Sequence, residues 1–391
     1  MKKKNGHTLT RVFLTVTVAL VATVTGLMLV DYFLLDGERP PEVNAGALMV
    51  TATSAPTPAD IPAGSVSAAI TPDTMPVVDI TPFAPVYNEP PPVLLATPAP
   101  ALHTSGEADY AFYWFTDTQH YTDEYPETLR AMADWMHDNA ERYNVKYTFF
   151  TGDAVHENND EQWLRVDAAM QKIRRAVPLF ALAGNHDVGT GNPNYTNFKA
   201  YLGPDAFKDD PYIQGWYNSG GGRCDTFEVD GTKYLFIGLG WKQGTSAGIN
   251  WANKMLKKYN DHHAIFMTHD YLDSEGLLSD TGQKLYEQIV KPNSNVFMVL
   301  CGHRYNSIML TTDINDTGDR SNYRTVYNIM MNYQALEDGG GGFLTLIRVY
   351  KRDKLITFDT YSPTLDQWYY YDPARNINKE KLTLPVTIFD E

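Results

Sequence analysis

The hydrophobic and polar positions of this chain fall into three regimes. From 12 to 35 apolar side chains run almost unbroken behind a basic start, Met1-Lys2-Lys3-Lys4. A run of that length matches the roughly 20 residues a helix needs to cross a bilayer. From 36 to 107 no helical or strand period survives, and Pro, Ala and Thr dominate, as in Glu89-Pro90-Pro91-Pro92 and Thr97-Pro98-Ala99-Pro100. Proline removes backbone donors and fixes φ, so this stretch reads as a semi-extended tether. From 108 to 391 short apolar runs alternate with amphipathic stretches, which is the pattern of a packed domain.

Within that third regime the spacing predicts a strand over 111–116 and a helix from about Pro126, with Leu129, Met132, Met136 and Ala140 on one face. A second strand is expected over 145–151. A helix follows over 160–176, with Asp160 as its N-cap and Trp163, Val166, Met170 and Ile173 on its apolar side. A third strand is expected over 177–182. Strand and helix in alternation is the signature of parallel βαβ units. Residues 203–222 read as an irregular insertion. Residues 224–229 and 232–239 flank Asp230-Gly231 as a hairpin. Further strands are expected over 264–268 and 296–301, and after Tyr323 the chain reads as mostly strands, with a hairpin around Lys351-Arg352-Asp353-Lys354. The expected fold is α/β, two sheets packed face to face with helices outside.

Composition narrows the setting. A formal net charge of -15 and a pI near 5.1 argue against a nucleic-acid surface, which needs clustered Lys and Arg. The basic start and long apolar run predict an uncleaved signal-anchor, with residues 1–11 cytoplasmic and the domain beyond 108 extracytoplasmic on a single-pass membrane protein. A secreted form, released by signal-peptide cleavage, is the competing reading. The two cysteines, Cys224 and Cys301, are expected to be free, although an exported chain could pair them. Asp338 and the four glycines after it read as a flexible loop near the site mouth and not as a P-loop, since no Lys-Ser/Thr follows.

The chemistry lies at the strand ends. The strands end in Asp117-Thr118-Gln119-His120, Gly152-Asp153 with His156 beyond, Gly184-Asn185-His186-Asp187, Thr268-His269-Asp270 and Gly302-His303-Arg304-Tyr305. Carboxylate, amide and imidazole in this mixture suit Mn, Fe or Zn, and two such ions can activate a water for attack on phosphorus.

In order and spacing these five strand ends resemble the calcineurin-like metallophosphoesterase superfamily, over roughly 108–361. The resemblance implies a four-layer αββα sandwich of two mixed β-sheets and a centre of two divalent metal ions acting on a phosphomonoester or phosphodiester. It assigns Asp153 as the bridge between the ions. Asn185, His269 and His303 would complete one site, and Asp117 and Gln119 would belong to the other. His186 would protonate the leaving oxygen or stabilise the phosphoryl transition state, oriented by Asp187. Two positions depart from the family's pattern: Gln119 and Tyr305 stand where histidines are usual. Three outcomes are open for that side: a weak site, an iron site with a tyrosinate from Tyr305, or recruitment of His156 or His120. The alternative function is a catalytically weakened surface binding protein on the same fold. The 212–222 insertion and a loop after Tyr305 are expected to shape the pocket.

Overall fold

The computed structural model describes residues 104–317, 323–369 and 382–389. The expected membrane segment at 12–35, and all of the tether except residues 104–107, lie outside the described residues. Among the described residues no helix is long and apolar enough to cross a membrane.

Two seven-stranded sheets make the core. In the first, β1 (Tyr110–Phe115), β2 (Val145–Phe150) and β3 (Leu179–Ala181) run parallel. β11 (Leu344–Tyr350) joins β1 antiparallel, and β12 (Leu355–Ser362), β13 (Gln367–Trp368) and β14 (Leu382–Pro385) extend that edge. In the second sheet the order is β4 (Ile213–Tyr217), β5 (Gly222–Val229), β6 (Thr232–Leu239), β7 (His263–Thr268), β8 (Val296–Cys301), β10 (Arg324–Asn332) and β9 (Asn306–Ile314). Here β6, β7, β8 and β10 are mutually parallel. Parallel strands aligned this way deliver all their carboxyl ends to one edge, where ligands are held in α/β folds.

Residue alternation explains the layering. Tyr110, Phe112 and Trp114 of β1 face the second sheet and join Tyr147, Phe149, Tyr234, Phe236, Met267 and Met298 in a shared core. Phe112, Phe149 and Phe236 meet there with centroids 4.8–5.7 Å apart, in edge-on and tilted contacts. Burial of each such ring stabilises by about 1.5–3 kcal/mol. The other face of β1, Ala111, Tyr113 and Phe115, packs under helices α2 (Pro126–Asn139), α3 (Asp160–Arg174) and α5 (Thr196–Leu202). The outer face of the second sheet packs under α6 (Ser246–Lys258) and the helical turns after α7 (Asp280–Leu285). The four-layer αββα sandwich of two mixed sheets is therefore present.

Several expectations shift. The N-cap of α3 is Asn159, whose side chain accepts from Gln162 N at 3.0 Å; Asp160 is the first helical residue and complements the dipole instead. Within the expected irregular insertion Ile213–Tyr217 pairs with β5 as an edge strand. The stretch after Tyr305 is not a loop: Asn306–Ile314 pairs along the whole of β10. The Asp230-Gly231 hairpin turn is present, with positive φ at both residues. Cys224 and Cys301 are both free and buried.

Candidate metal centre

Each strand end carries its functional residue in a strained or tightly apposed turn. Asp117 follows β1 with φ 54°, Asp153 follows β2 with φ 56° and His303 follows β8 with φ 72°. Left-handed backbone at non-glycine residues costs stability and clusters at functional sites. The glycines beside them have a steric reason. A Cβ on Gly152 would meet Gly184 N at 2.6 Å and His269 Nδ1 at 2.7 Å, at a φ of +112°. A Cβ on Gly302 would clash with Asp117 Oδ2.

One half of the centre is imidazole-rich. His269 is fully buried and its Nε2 lies 3.0 Å from Asp153 Oδ2 and 3.2 Å from Asn185 Oδ1. Its Nδ1–H donates to the Thr151 carbonyl at 2.9 Å, so a neutral ring presents the Nε2 lone pair to the centre. Ligand atoms of Asp153, His269 and His303 all lie within 4.8 Å of one another. Burial opposes ionisation of Asp153, but His269, with His186 and His303, holds its carboxyl well below the usual carboxylate range. Burial likewise opposes charge on His269, yet Asp153 raises its pKa to about 10. His303 is pushed down to about 3 by burial and by His269. Asp153 thus favours positive charge at His269 Nε2, the atom that a neutral ring would offer to a metal cation.

The other half is built of oxygen and amide. Asp117 Oδ2 accepts from Thr116 Oγ1 at 2.7 Å, and both its oxygens lie 3.2 Å from His303 N. Burial raises the Asp117 carboxyl to about 7, with Asp153 adding to the effect and His269 opposing it. Gln119 is 2 % exposed; its Nε2 donates to Gln334 Oε1, and its Oε1 is buried with no hydrogen-bond partner among the described residues. A buried, unpartnered carbonyl oxygen, linked to Asp117 through the Gln334 carboxamide, suits a cation ligand. The residues of both halves therefore fit metal ions.

Sequence reading missed Gln334. It emerges beyond β10, which runs parallel to β8 with Met330 opposite Cys301, so it reaches the same edge as His303. Its backbone N–H bonds Asn332 Oδ1 at 2.9 Å, and its Nε2 lies 3.3 Å from both Asp117 Oδ1 and the His303 carbonyl. Trp241, just past β6, was missed as well; its ring lies 5.1 Å from that of His303 and 6.0 Å from that of His269. Both follow strands that run parallel into the same edge, but nothing in their local sequence marks either as part of the site. Tyr305 is 45 % exposed, whereas Gln119, Asp117 and His303 are buried.

The role expected for Asp187 changes. Its carboxylate accepts from Gly184 N at 2.8 Å, Asp153 N at 3.0 Å, Ala154 N at 2.7 Å and Val155 N at 3.2 Å. It staples the β2 and β3 turns together, because four backbone donors converge where the two loops meet. The ring of His186 is oriented instead by the His156 carbonyl, 2.9 Å from Nδ1. His120, His156 and His186 form a row with centroids 5.5 and 5.3 Å apart on this flank. The glycine-rich loop expected to be flexible is packed: Gly340, Gly341 and Gly342 are buried, and Gly342 N donates to Tyr121 OH at 3.0 Å.

The family model for calcineurin-like phosphoesterases matches residues 110–306. Among curated relatives, the uncharacterized protein YvnB of Bacillus subtilis (strain 168) is 36% identical over 281 residues, 71% of this chain. The chain spans only 22% of that relative's length. Among solved structures, purple acid phosphatase PPD1 from yellow lupin (Lupinus luteus) seeds is 13% identical with a TM-score of 0.47, covering 74% of this chain and 56% of that one. GAP50, the anchor in the inner membrane complex of Plasmodium, is 12% identical with a TM-score of 0.42, covering 70% of this chain and 90% of that one.

Proposed function

The chain belongs to the calcineurin-like phosphoesterase family; we propose that it is a hydrolase acting on phosphoric ester bonds, cleaving a phosphomonoester or phosphodiester with two divalent ions (Mn, Fe or Zn), on the extracytoplasmic side of a membrane to which residues 12–35 anchor it. The observation that carries this reading is the convergence of Asp153 Oδ2 and Asn185 Oδ1 on His269 Nε2, at 3.0 and 3.2 Å. Asp153, Asn185, His269 and His303 would hold one ion, and Asp117, Gln119 and Asp153 the other. When bound, such ions supply Lewis acidity and an acidified water near neutral pH.

The chain's own residues supply position and protons. Asp153 divides its two oxygens: Oδ1 accepts from His186 N at 2.9 Å, and Oδ2 faces His269. That first bond ties the start of α4 (Asn185–Val188) to the bridging carboxylate, so Asn185 and His186 arrive as one unit. Because the Nδ1 of His186 is committed to the His156 carbonyl, protons enter and leave this ring at Nε2. A ring so fixed is placed to hand a proton to the departing oxygen, a task that a purely binding protein lacks. The extracytoplasmic placement rests on the basic start and the apolar run of the sequence.

The test is hydrolysis of p-nitrophenyl phosphate and bis-p-nitrophenyl phosphate by the full chain, with and without chelator, beside Asn185→Ala. Turnover that vanishes with chelator, returns with Mn2+ and is absent in a folded Asn185→Ala variant is expected. Full turnover in that variant would sink the assignment.

A further inference from the structure

The family pattern offers no place for Gln334, yet its carboxamide meets three groups of the centre at once. Its Oε1 accepts from Gln119 Nε2, and its Nε2 lies 3.3 Å from Asp117 Oδ1 and 3.3 Å from the His303 carbonyl. A carboxamide can rotate its oxygen and nitrogen into each other's places at little cost unless hydrogen bonds fix it. For Gln119 the bond to Gln334 fixes the choice: the NH2 group is spent on Gln334, and the carbonyl oxygen is the atom left buried and unpartnered. Gln334 is itself fixed, because Asp117 and the His303 carbonyl are both acceptors and hold its NH2 group on their side.

We infer that Gln334 is a positioning residue that locks the Gln119 carboxamide with its carbonyl oxygen toward the first metal position, making that position an all-oxygen site of Asp117, Asp153 and Gln119. This rests on the metal-centre reading above and deepens it. A neutral amide oxygen gives weaker binding than an imidazole, but oxygen-only donors favour a hard ion such as Mn2+ over Zn2+. The same bonds explain how the first position is completed without a buried Tyr305, which is 45 % exposed. The two halves of the centre then differ in ion preference, oxygen on one side and imidazole on the other.

The experiment is Mn2+ titration of the full chain after chelation, followed by the electron paramagnetic resonance of free and bound Mn2+. The variants are Gln334→Met, which keeps side-chain volume, Gln334→Glu, which keeps an acceptor for Gln119, Gln119→Ala and the Gln119→Ala/Gln334→Met pair. The wild type is expected to bind two Mn2+ with the spectrum of a coupled pair. Gln334→Met should keep one tight Mn2+ and weaken the other by about 10–100-fold, losing the coupled signal, as loss of an orienting partner does. Gln334→Glu keeps the acceptor for Gln119 but turns an oxygen against Asp117 Oδ1 and the His303 carbonyl, so it should weaken the second Mn2+ less than Gln334→Met does. The double variant should be no worse than Gln119→Ala alone, since Gln334 acts through Gln119. Unchanged affinity in Gln334→Met, or additive losses in the double variant, would overturn the inference. So would a wild type that never takes a second Mn2+, with the imidazole-side site left standing. A wild type that takes no Mn2+ would overturn the metal-centre reading with it.

Discussion

The two halves of the centre are built by different rules. On the imidazole side, Asp153, His269 and His303 stand just past strand ends, Asn185 opens the helical turn α4 and is tied to Asp153 through the neighbouring His186 N–H, and His269 is fixed by a backbone carbonyl 2.9 Å from its Nδ1. On the oxygen side, Gln119 lies in the helical turn α1 (Gln119–Asp123), and its orientation depends on a side chain 215 residues away in sequence. A ligand fixed by backbone survives drift in its neighbours. A ligand fixed by another flexible side chain can be tuned or lost by one substitution. The centre is asymmetric in robustness as well as in donor type.

The largest test of this asymmetry pairs His269→Ala with Gln119→Ala. The first should abolish turnover and tight metal retention together, because it leaves Asp153 buried without its partner 3.0 Å away. The second should keep one metal and lose about 10–100-fold in metal affinity on the other side. Elemental analysis after dialysis reads both, and equal losses would erase the distinction between the halves.

His186→Ala sharpens the comparison by removing proton transfer while leaving both halves in place. It should lower kcat by about 10²–10⁴-fold on esters with poor leaving groups, and much less on p-nitrophenyl esters, with metal content unchanged. A uniform loss across leaving groups would mean that His186 serves charge and not proton transfer.

The smallest expected effect is on stability against pH. In chelated protein the folded pKa of His269 is raised to about 10, so its contribution is fully present below its unfolded value of about 6.5 and is lost as pH rises through about 10. Asp153 is depressed, so its contribution is present above about pH 4 and is lost as pH falls below that. The melting temperature of the chelated chain should therefore decline by a few degrees between about pH 8 and 11. Mn2+ should abolish that decline, since a metal ion on Nε2 takes the place of the titrating proton while Nδ1–H stays on the Thr151 carbonyl. Calorimetry that shows the same slope with and without Mn2+ would place His269 outside the centre.

Much of the sandwich was legible from period and punctuation. Runs such as Val296–Cys301 and the Asp230-Gly231 hairpin are local, and their spacing alone sets strand, turn and facing. The five strand-end motifs were legible too, because each ligand stands within a few residues of a readable strand, and parallel strands send such residues to one edge. The edge strand Asn306–Ile314 was not readable, since its mixed polar pattern takes meaning only from pairing with β10. Asp187 was assigned to its neighbour His186, but four backbone donors from two loops claimed its carboxylate. Gln334 was invisible because nothing local distinguishes a glutamine that follows a strand. The sequence by itself determined which side chains could bind and where strands would leave them, since both follow from local spacing. Only the tertiary structure decided which of them orient one another, because hydrogen bonds between side chains over 200 residues apart depend on the register of two packed sheets.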